Sequence, residues 1–205
     1  MLAKMRNMGE ACTSANRFLV AAPVAADFAQ RLATRMSSLK VARGTEPDAE
    51  VGPLIDAAGL EKVAGLVEDA VNSGARVLVG GKPLPGPGYF YQPTVLTDVP
   101  SGARLLREEI FGPVAPVTTF TTEEEAITAA NQTEFGLVAY VFTADLKRAF
   151  RVIEALETGM VGLNQGIVSN AAAPFGGVKQ SGFGREGGSE GINEYLELKY
   201  IAVNV

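Results

Sequence analysis

Short runs of β-forming residues alternate along this chain with longer stretches of helical apolar spacing, and that alternation limits the possible folds more than any other feature. Arg17-Phe18-Leu19-Val20-Ala21-Ala22 reads as a strand closed by Pro23, and Ala75-Arg76-Val77-Leu78-Val79 as a strand ended by Gly80-Gly81. Between them, residues 24–38 carry Phe28, Leu32 and Met36 at helical spacing, and residues 54–74 carry Leu60, Val63, Leu66, Val67 and Val71. Further strands are expected over 94–99, 114–120, 137–142 and 160–163, with helices over 123–131 and 144–157. Thr121-Thr122 ahead of Glu123-Glu124-Glu125 supplies a capping-box start for the first of these helices. Residues 1–9 read as the end of a helix stopped by Gly9. This order predicts an α/β fold: an open, mostly parallel sheet with flanking helices.

Two segments break the pattern. Residues 83–93 hold four prolines and two glycines and form a loop. Pro174 to Gly188 holds six glycines in fifteen residues, too many for a helix or an ordinary strand. Beyond it, a helical patch over 189–196 and a strand-like Lys199-Tyr200-Ile201-Ala202-Val203-Asn204 close the chain. A terminal apolar strand is an edge that must pair, within this chain or with a partner.

Composition narrows the chemistry by exclusion. There is no histidine, which removes Ser-His and Cys-His catalysis and histidine metal motifs together. A single cysteine forms no internal disulfide and fits a reducing compartment. A net charge of −5 gives no electrostatic reason to expect nucleic acid or an anionic membrane as partner. No apolar run reaches membrane-spanning length, and the first residues lack a signal-peptide core, so a cytoplasmic location is expected.

The one cysteine is Cys12, in Arg6-Asn7-Met8-Gly9-Glu10-Ala11-Cys12-Thr13-Ser14-Ala15-Asn16-Arg17. Alone, a cysteine is a small buried hydrophobe. Here small residues surround it, which lets a substrate carbonyl approach, and a thiolate is the strongest common side-chain nucleophile near neutral pH. Glu108-Glu109-Ile110-Phe111-Gly112-Pro113 sets two carboxylates and an aromatic before a rigid turn; alone it is a solvated acidic turn.

Together these segments carry a resemblance. Gly9-x-x-Cys12, Glu109-Ile110-Phe111-Gly112-Pro113, Asn164, and Pro174-Phe175-Gly176-Gly177 running into Ser181-Gly182-x-Gly184-Arg185-Glu186 match, in order, the C-terminal portion of an aldehyde dehydrogenase. The resemblance covers essentially the whole chain. It implies that Cys12 attacks an aldehyde carbonyl, with its own backbone N–H helping to hold the oxyanion. It implies that Glu109 binds the nicotinamide-side ribose of NAD or NADP, with Phe111 packed nearby. Asn164 would order the site, Glu186 would relay protons, and Arg185 would form an ion pair with Glu197. Read without the resemblance, Asn164 is a strand-end turn residue and Glu186 a solvated loop charge.

Arg6 and Ser169 resemble positions that hold the distal carboxylate in the succinate-semialdehyde dehydrogenase branch of that family. An arginine fork suits that task. The alternatives are a helix-surface charge and an ordinary loop serine. Two departures stand out. Glu10 replaces the family's usual glutamine and is expected to point away from the sulfur, because a facing carboxylate would raise the thiol pKa. Ser14 stands where some members of the branch carry a second cysteine, which rules out a redox-switch disulfide.

The resemblance further implies a catalytic domain over 1–180 and a closing segment with an oligomerisation strand over 181–205. The family's N-terminal cofactor domain and its Glu-Leu-Gly-Gly general base have no counterpart in these residues. Gly182-Phe183-Gly184-Arg185-Glu186-Gly187 does not follow a strand and is no dinucleotide fingerprint. A small-molecule aldehyde, NAD or NADP, and further copies of the same chain are the expected partners. The functional expectation is part of an NAD(P)-dependent dehydrogenase that oxidises succinate semialdehyde. The alternatives are a non-catalytic remnant that acts by binding, another aldehyde as substrate, and residual thiol chemistry at Cys12.

Overall fold

The computed structural model describes all 205 residues. Its centre is a four-stranded sheet ordered β1 (Phe18–Ala21), β4 (Val114–Phe120), β3 (Thr94–Thr97), β2 (Arg76–Val79). β1 and β3 both run parallel to β4, and β2 runs antiparallel to β3. Two helices cover its two faces: α2 (Ala22–Ser37) and α3 (Ala57–Asn72). Period-two alternation decides which strand residue meets which helix. On β3, Val95 joins the α2 residues Ala29, Leu32, Ala33 and Met36. The next residue, Leu96, joins Val63, Leu66, Val67 and Ala70 of α3.

The helices form where their termini can be satisfied. Pro23 sits in the first turn of α2, where its missing N–H costs nothing, so it opens the helix as well as closing β1. Asp56 caps α3 by accepting the Gly59 N–H at 2.8 Å. Thr122 caps α4 (Glu123–Asn131) through the Glu125 N–H at 3.1 Å, while the Glu125 carboxylate reaches back to the Thr121 N–H at 2.8 Å. The capping box is therefore closed one residue earlier than a strict box would be. Phe28, expected in the core, lies on the shoulder of α2 with its ring centroid 6.2 Å from that of Phe18.

The second half of the chain does not extend this sheet. β6 (Val138–Val141) and β7 (Met160–Leu163) form their own parallel pair, joined through α5 (Leu146–Ala155). β5 (Phe135–Gly136) and β8 (Val178–Lys179) make a short antiparallel pair. Neither α4 nor most of α5 is buried, and Phe142, Leu146 and Phe150 are exposed. The short helix α1 (Leu2–Met5) precedes all of these.

The glycine-dense segment packs backbone on backbone. A Cβ on Gly159 would collide with the Gly176 carbonyl, so only glycine fits there. Phe175 and Glu186 exchange backbone hydrogen bonds of 2.7 and 2.8 Å. Residues 196–205 are exposed and join no ladder within this chain. One expectation fails in this region: Arg185 does not pair with Glu197. Its Nη1 donates to the carbonyls of Gly177 and Gly184 at 2.8 and 2.7 Å, which uses the guanidinium to pin the glycine loop.

Tyr91 is fully buried in the larger apolar cluster, and its hydroxyl has no hydrogen-bond partner. Burial also pushes its phenol pKa well up. A buried hydroxyl left unpaired costs about 1–3 kcal/mol. Tyr91→Phe should therefore leave stability unchanged or raise it by about 1 kcal/mol in a denaturant titration. A loss of similar size would mean that the hydroxyl has a partner in solution.

Candidate active site

The segment before β1 and the segment before β4 carry the expected chemistry, so the site gathers at the amino ends of two neighbouring parallel strands. Between α1 and Cys12 the chain reverses sharply. Asn7 and Met8 hold φ of 45° and 49°, and Gly9 follows at +92°. Gly9 is required twice over. Its φ favours glycine, and a Cβ there would run into the Gly112 carbonyl oxygen. The cysteine segment and the Glu109–Pro113 turn therefore meet at backbone contact.

Asn16 fastens the same junction. Its side-chain amide donates to the carbonyls of Leu105 and Glu108 at 3.1 Å each, and its oxygen accepts the Ile110 N–H at 2.9 Å. Those bonds bracket Glu109 on both sides. Glu109 itself is exposed, and Arg104 pairs with Glu108 instead, which leaves the Glu109 carboxylate outside any ion pair. Phe111 sits at φ 52° with 38% of its surface exposed. A free carboxylate beside an exposed ring suits a ribose hydroxyl pair and a flat heteroaromatic ring, so this donor set fits a nicotinamide nucleotide.

Cys12 is exposed at the second position of a turn closed by the Ser14 N–H on the Ala11 carbonyl at 2.8 Å. Glu10 points away from it, as expected, and its Oε1 accepts the Ile55 N–H at 3.4 Å. Burial and the neighbouring Asp56 raise the Glu10 pKa, and the Ile55 N–H opposes that shift. Arg6, six residues before Cys12, donates from Nη1 to Ser169 Oγ at 3.1 Å. The two residues expected to hold a distal carboxylate, 163 positions apart, are thus in direct contact.

Asn164 lies at the end of β7 with φ 54°. Its oxygen accepts the Thr143 N–H and its amide donates to the Thr143 carbonyl, both at 2.9 Å. It ties the ends of β6 and β7 together, with one hydrogen bond at each polar atom of the amide. Glu186 is exposed, and its backbone pairs with Phe175 rather than with the cysteine segment. Cavities of about 270 and 310 Å³ lie elsewhere, at the Lys40–Phe90 loops and at the start of α2, and no expected site residue lines either.

Three residues of the site escaped the sequence reading. Asn16 gave a weak signal, as a lone amide after the cysteine. Tyr140 on β6 donates to the Thr13 carbonyl at 2.9 Å. Lys4, on α1, is 1% exposed, and its stem packs beside Gly9.

The sequence model of the aldehyde dehydrogenase family matches residues 1–201. A succinate-semialdehyde dehydrogenase of Paenarthrobacter nicotinovorans is 60% identical over 99% of this chain and 45% of its own length. A glutarate-semialdehyde dehydrogenase of Pseudomonas putida is 49% identical over all of this chain and 42% of its own. The crystal structure of succinate-semialdehyde dehydrogenase from Burkholderia pseudomallei superposes with a TM-score of 0.96 at 50% identity, over 99% of this chain and 42% of that one. The chain spans less than half the length of these relatives.

Burial pushes the Lys4 ammonium down to about 7 from its ordinary 10.5, with the Glu109 carboxylate opposing the shift. Between those values the unfolded chain holds a proton that the folded chain has lost, so this residue makes stability rise with pH across that window. Below about 7 the fold carries the full penalty of a buried charge. Lys4→Met should remove the rise. In paired denaturant titrations between pH 7 and 10, wild type should gain on the variant by up to about 1.4 kcal/mol per pH unit. Parallel profiles would contradict this assignment. By its family match and its relatives, the chain belongs to the aldehyde dehydrogenase family.

Proposed function

We propose that this chain is the catalytic half of an NAD(P)-dependent dehydrogenase that oxidises succinate semialdehyde to succinate. The observation that carries the reading is the contact of Arg6 with Ser169, with an exposed Cys12 six residues after Arg6. A guanidinium and a hydroxyl placed together offer a carboxylate several donors at once. A short ω-carboxylated aldehyde held there by its acid end presents its carbonyl to the sulfur.

In this reading the Cys12 thiolate adds to the aldehyde carbon, and the carbonyl π pair moves onto oxygen. The Cys12 backbone N–H accommodates the oxyanion. When bound, the nicotinamide supplies the hydride acceptor that turns this adduct into a thioester. Glu109 and Phe111 position the ribose and ring, on a turn held by Asn16. Water then attacks the thioester carbon, the Cys12 thiolate leaves, and succinate is released. The proton that the attacking water gives up passes to a carboxylate base, the role the exposed Glu186 carboxylate shares with the general base of the N-terminal half.

A fusion of this chain behind the N-terminal half of the Paenarthrobacter relative supplies the remaining parts. It should form NAD(P)H from succinate semialdehyde, whereas the 205-residue chain alone should not. Arg6→Ala in the fusion removes a charge-assisted contact of about 1.5–3 kcal/mol, so KM for succinate semialdehyde should rise about 10- to 100-fold. KM for butanal, which has no acid group, should stay within about threefold. Equal effects on both aldehydes would refute the carboxylate clamp, and dehydrogenase activity from the chain alone would refute the division of labour.

A further inference from the structure

The turn that displays Cys12 is tethered from outside its own segment. One peptide unit of that turn, between Thr13 and Ser14, is held at both of its polar atoms. Its N–H donates to the Ala11 carbonyl at 2.8 Å, and its C=O accepts the Tyr140 hydroxyl at 2.9 Å. Thr13 is itself buried and Tyr140 half-buried, so this second bond is shielded on the Thr13 side. Tyr140 reaches the turn from β6, 127 residues away in sequence.

The ring has a prepared seat. Tyr140 faces Gly162 across the β6–β7 pair, and a Cβ on Gly162 would lie 2.9 Å from Tyr140 Cδ1. The aromatic ring occupies the space that a side chain at 162 would fill. Burial raises the phenol pKa, with the Thr13 bond and the Arg6 charge opposing and the Cys12 thiolate reinforcing the shift. The hydroxyl therefore stays a neutral donor at physiological pH. Both Arg6 and Cys12 lie within electrostatic reach of it.

We propose that Tyr140 is the positioning residue of the nucleophile turn: its hydroxyl, seated over Gly162, locks the Thr13–Ser14 peptide so that the Cys12 sulfur and N–H face one direction. This rests on the reading of Cys12 as nucleophile. A turn of four residues with one internal hydrogen bond rocks readily, and a nucleophile displaced by an ångström loses much of its rate. Tyr140 removes that freedom from the far side of the site without touching substrate. It also links the turn to β7, whose end carries Asn164 and leads to Ser169, so one strand pair sets both the nucleophile and the acid-end clamp.

Tyr140→Phe tests this, because it keeps the ring on Gly162 and removes only the donor. In the 205-residue chain, hydrogen exchange at the Ser14 amide should speed up about tenfold, while the β3–β4 ladder amides and the melting temperature stay as in wild type. Unchanged Ser14 protection, or a uniform loss of protection with a lower melting temperature, would overturn the proposal. In the fusion, kcat should fall about 10- to 100-fold for succinate semialdehyde and butanal alike, with both KM values nearly unchanged. A rise in KM confined to succinate semialdehyde would make Tyr140 part of the carboxylate clamp instead and overturn the positioning role. The exchange measurement needs no turnover, so an inactive wild-type fusion would count against the dehydrogenase reading while the Tyr140 tether is still decided.

Discussion

Gly9 and Gly112 meet with no side chain between them, and the arrangement of the site depends on that approach. The two segments belong to different strands of the central sheet, β1 and β4, which lie side by side in parallel register. Parallel neighbours bring their amino ends together, but the loops ahead of them still diverge unless something holds them. Here the hold is backbone contact at Gly9, reinforced by the three hydrogen bonds of Asn16. Any side chain at position 9 would force the Glu109–Phe111 turn away from the cysteine turn.

The close approach also accounts for the buried lysine. Bringing two loops together at their backbones leaves a gap beside the junction, and the Lys4 stem fills it, with the ammonium within reach of the Glu109 charge. An apolar residue would fill the gap at less cost in desolvation. A lysine instead couples the helix before Cys12 to the Glu109 carboxylate. On the opposite side, the β6–β7 pair supplies Tyr140 and leads to Ser169. The cysteine turn is thus gripped from two directions, by the central sheet and by the smaller strand pair. What it faces is open, with Cys12, Glu109 and Phe111 all accessible, as suits one wall of a cleft in a chain that spans less than half of its relatives' length.

Much of the fold was legible in the sequence. Apolar periodicity placed α2, α3 and α5 to within a few residues, and Thr122 with Glu125 marked the start of α4. What was not legible has a physical cause in common. Whether β6 and β7 join the central sheet is a matter of long-range pairing, which local patterning does not encode. The apolar stretch at 199–204 has strand character and joins no ladder within this chain. Arg185 was expected to seek a carboxylate, yet the glycine loop offered carbonyls at closer range. At the site, the motif residues Cys12, Glu109 and Phe111 were readable because their spacing carries chemistry. Lys4, Asn16 and Tyr140 were not, because their importance lies in what they touch 90 to 130 residues away, or, for Lys4, in how deeply it is buried.

The proposed covalent step depends on the Cys12 sulfur. Replacing Cys12 by serine changes one atom, leaves the turn and its tethers intact, and substitutes an alcohol that no histidine in this chain can activate. In the fusion with the N-terminal half of the Paenarthrobacter relative, the steady-state rate of NAD(P)H formation from succinate semialdehyde by Cys12→Ser should drop by about 10⁴-fold or more, with the melting temperature unchanged. A Cys12→Ser rate within about tenfold of the parent would show that the covalent step runs elsewhere and contradict the assignment of this site.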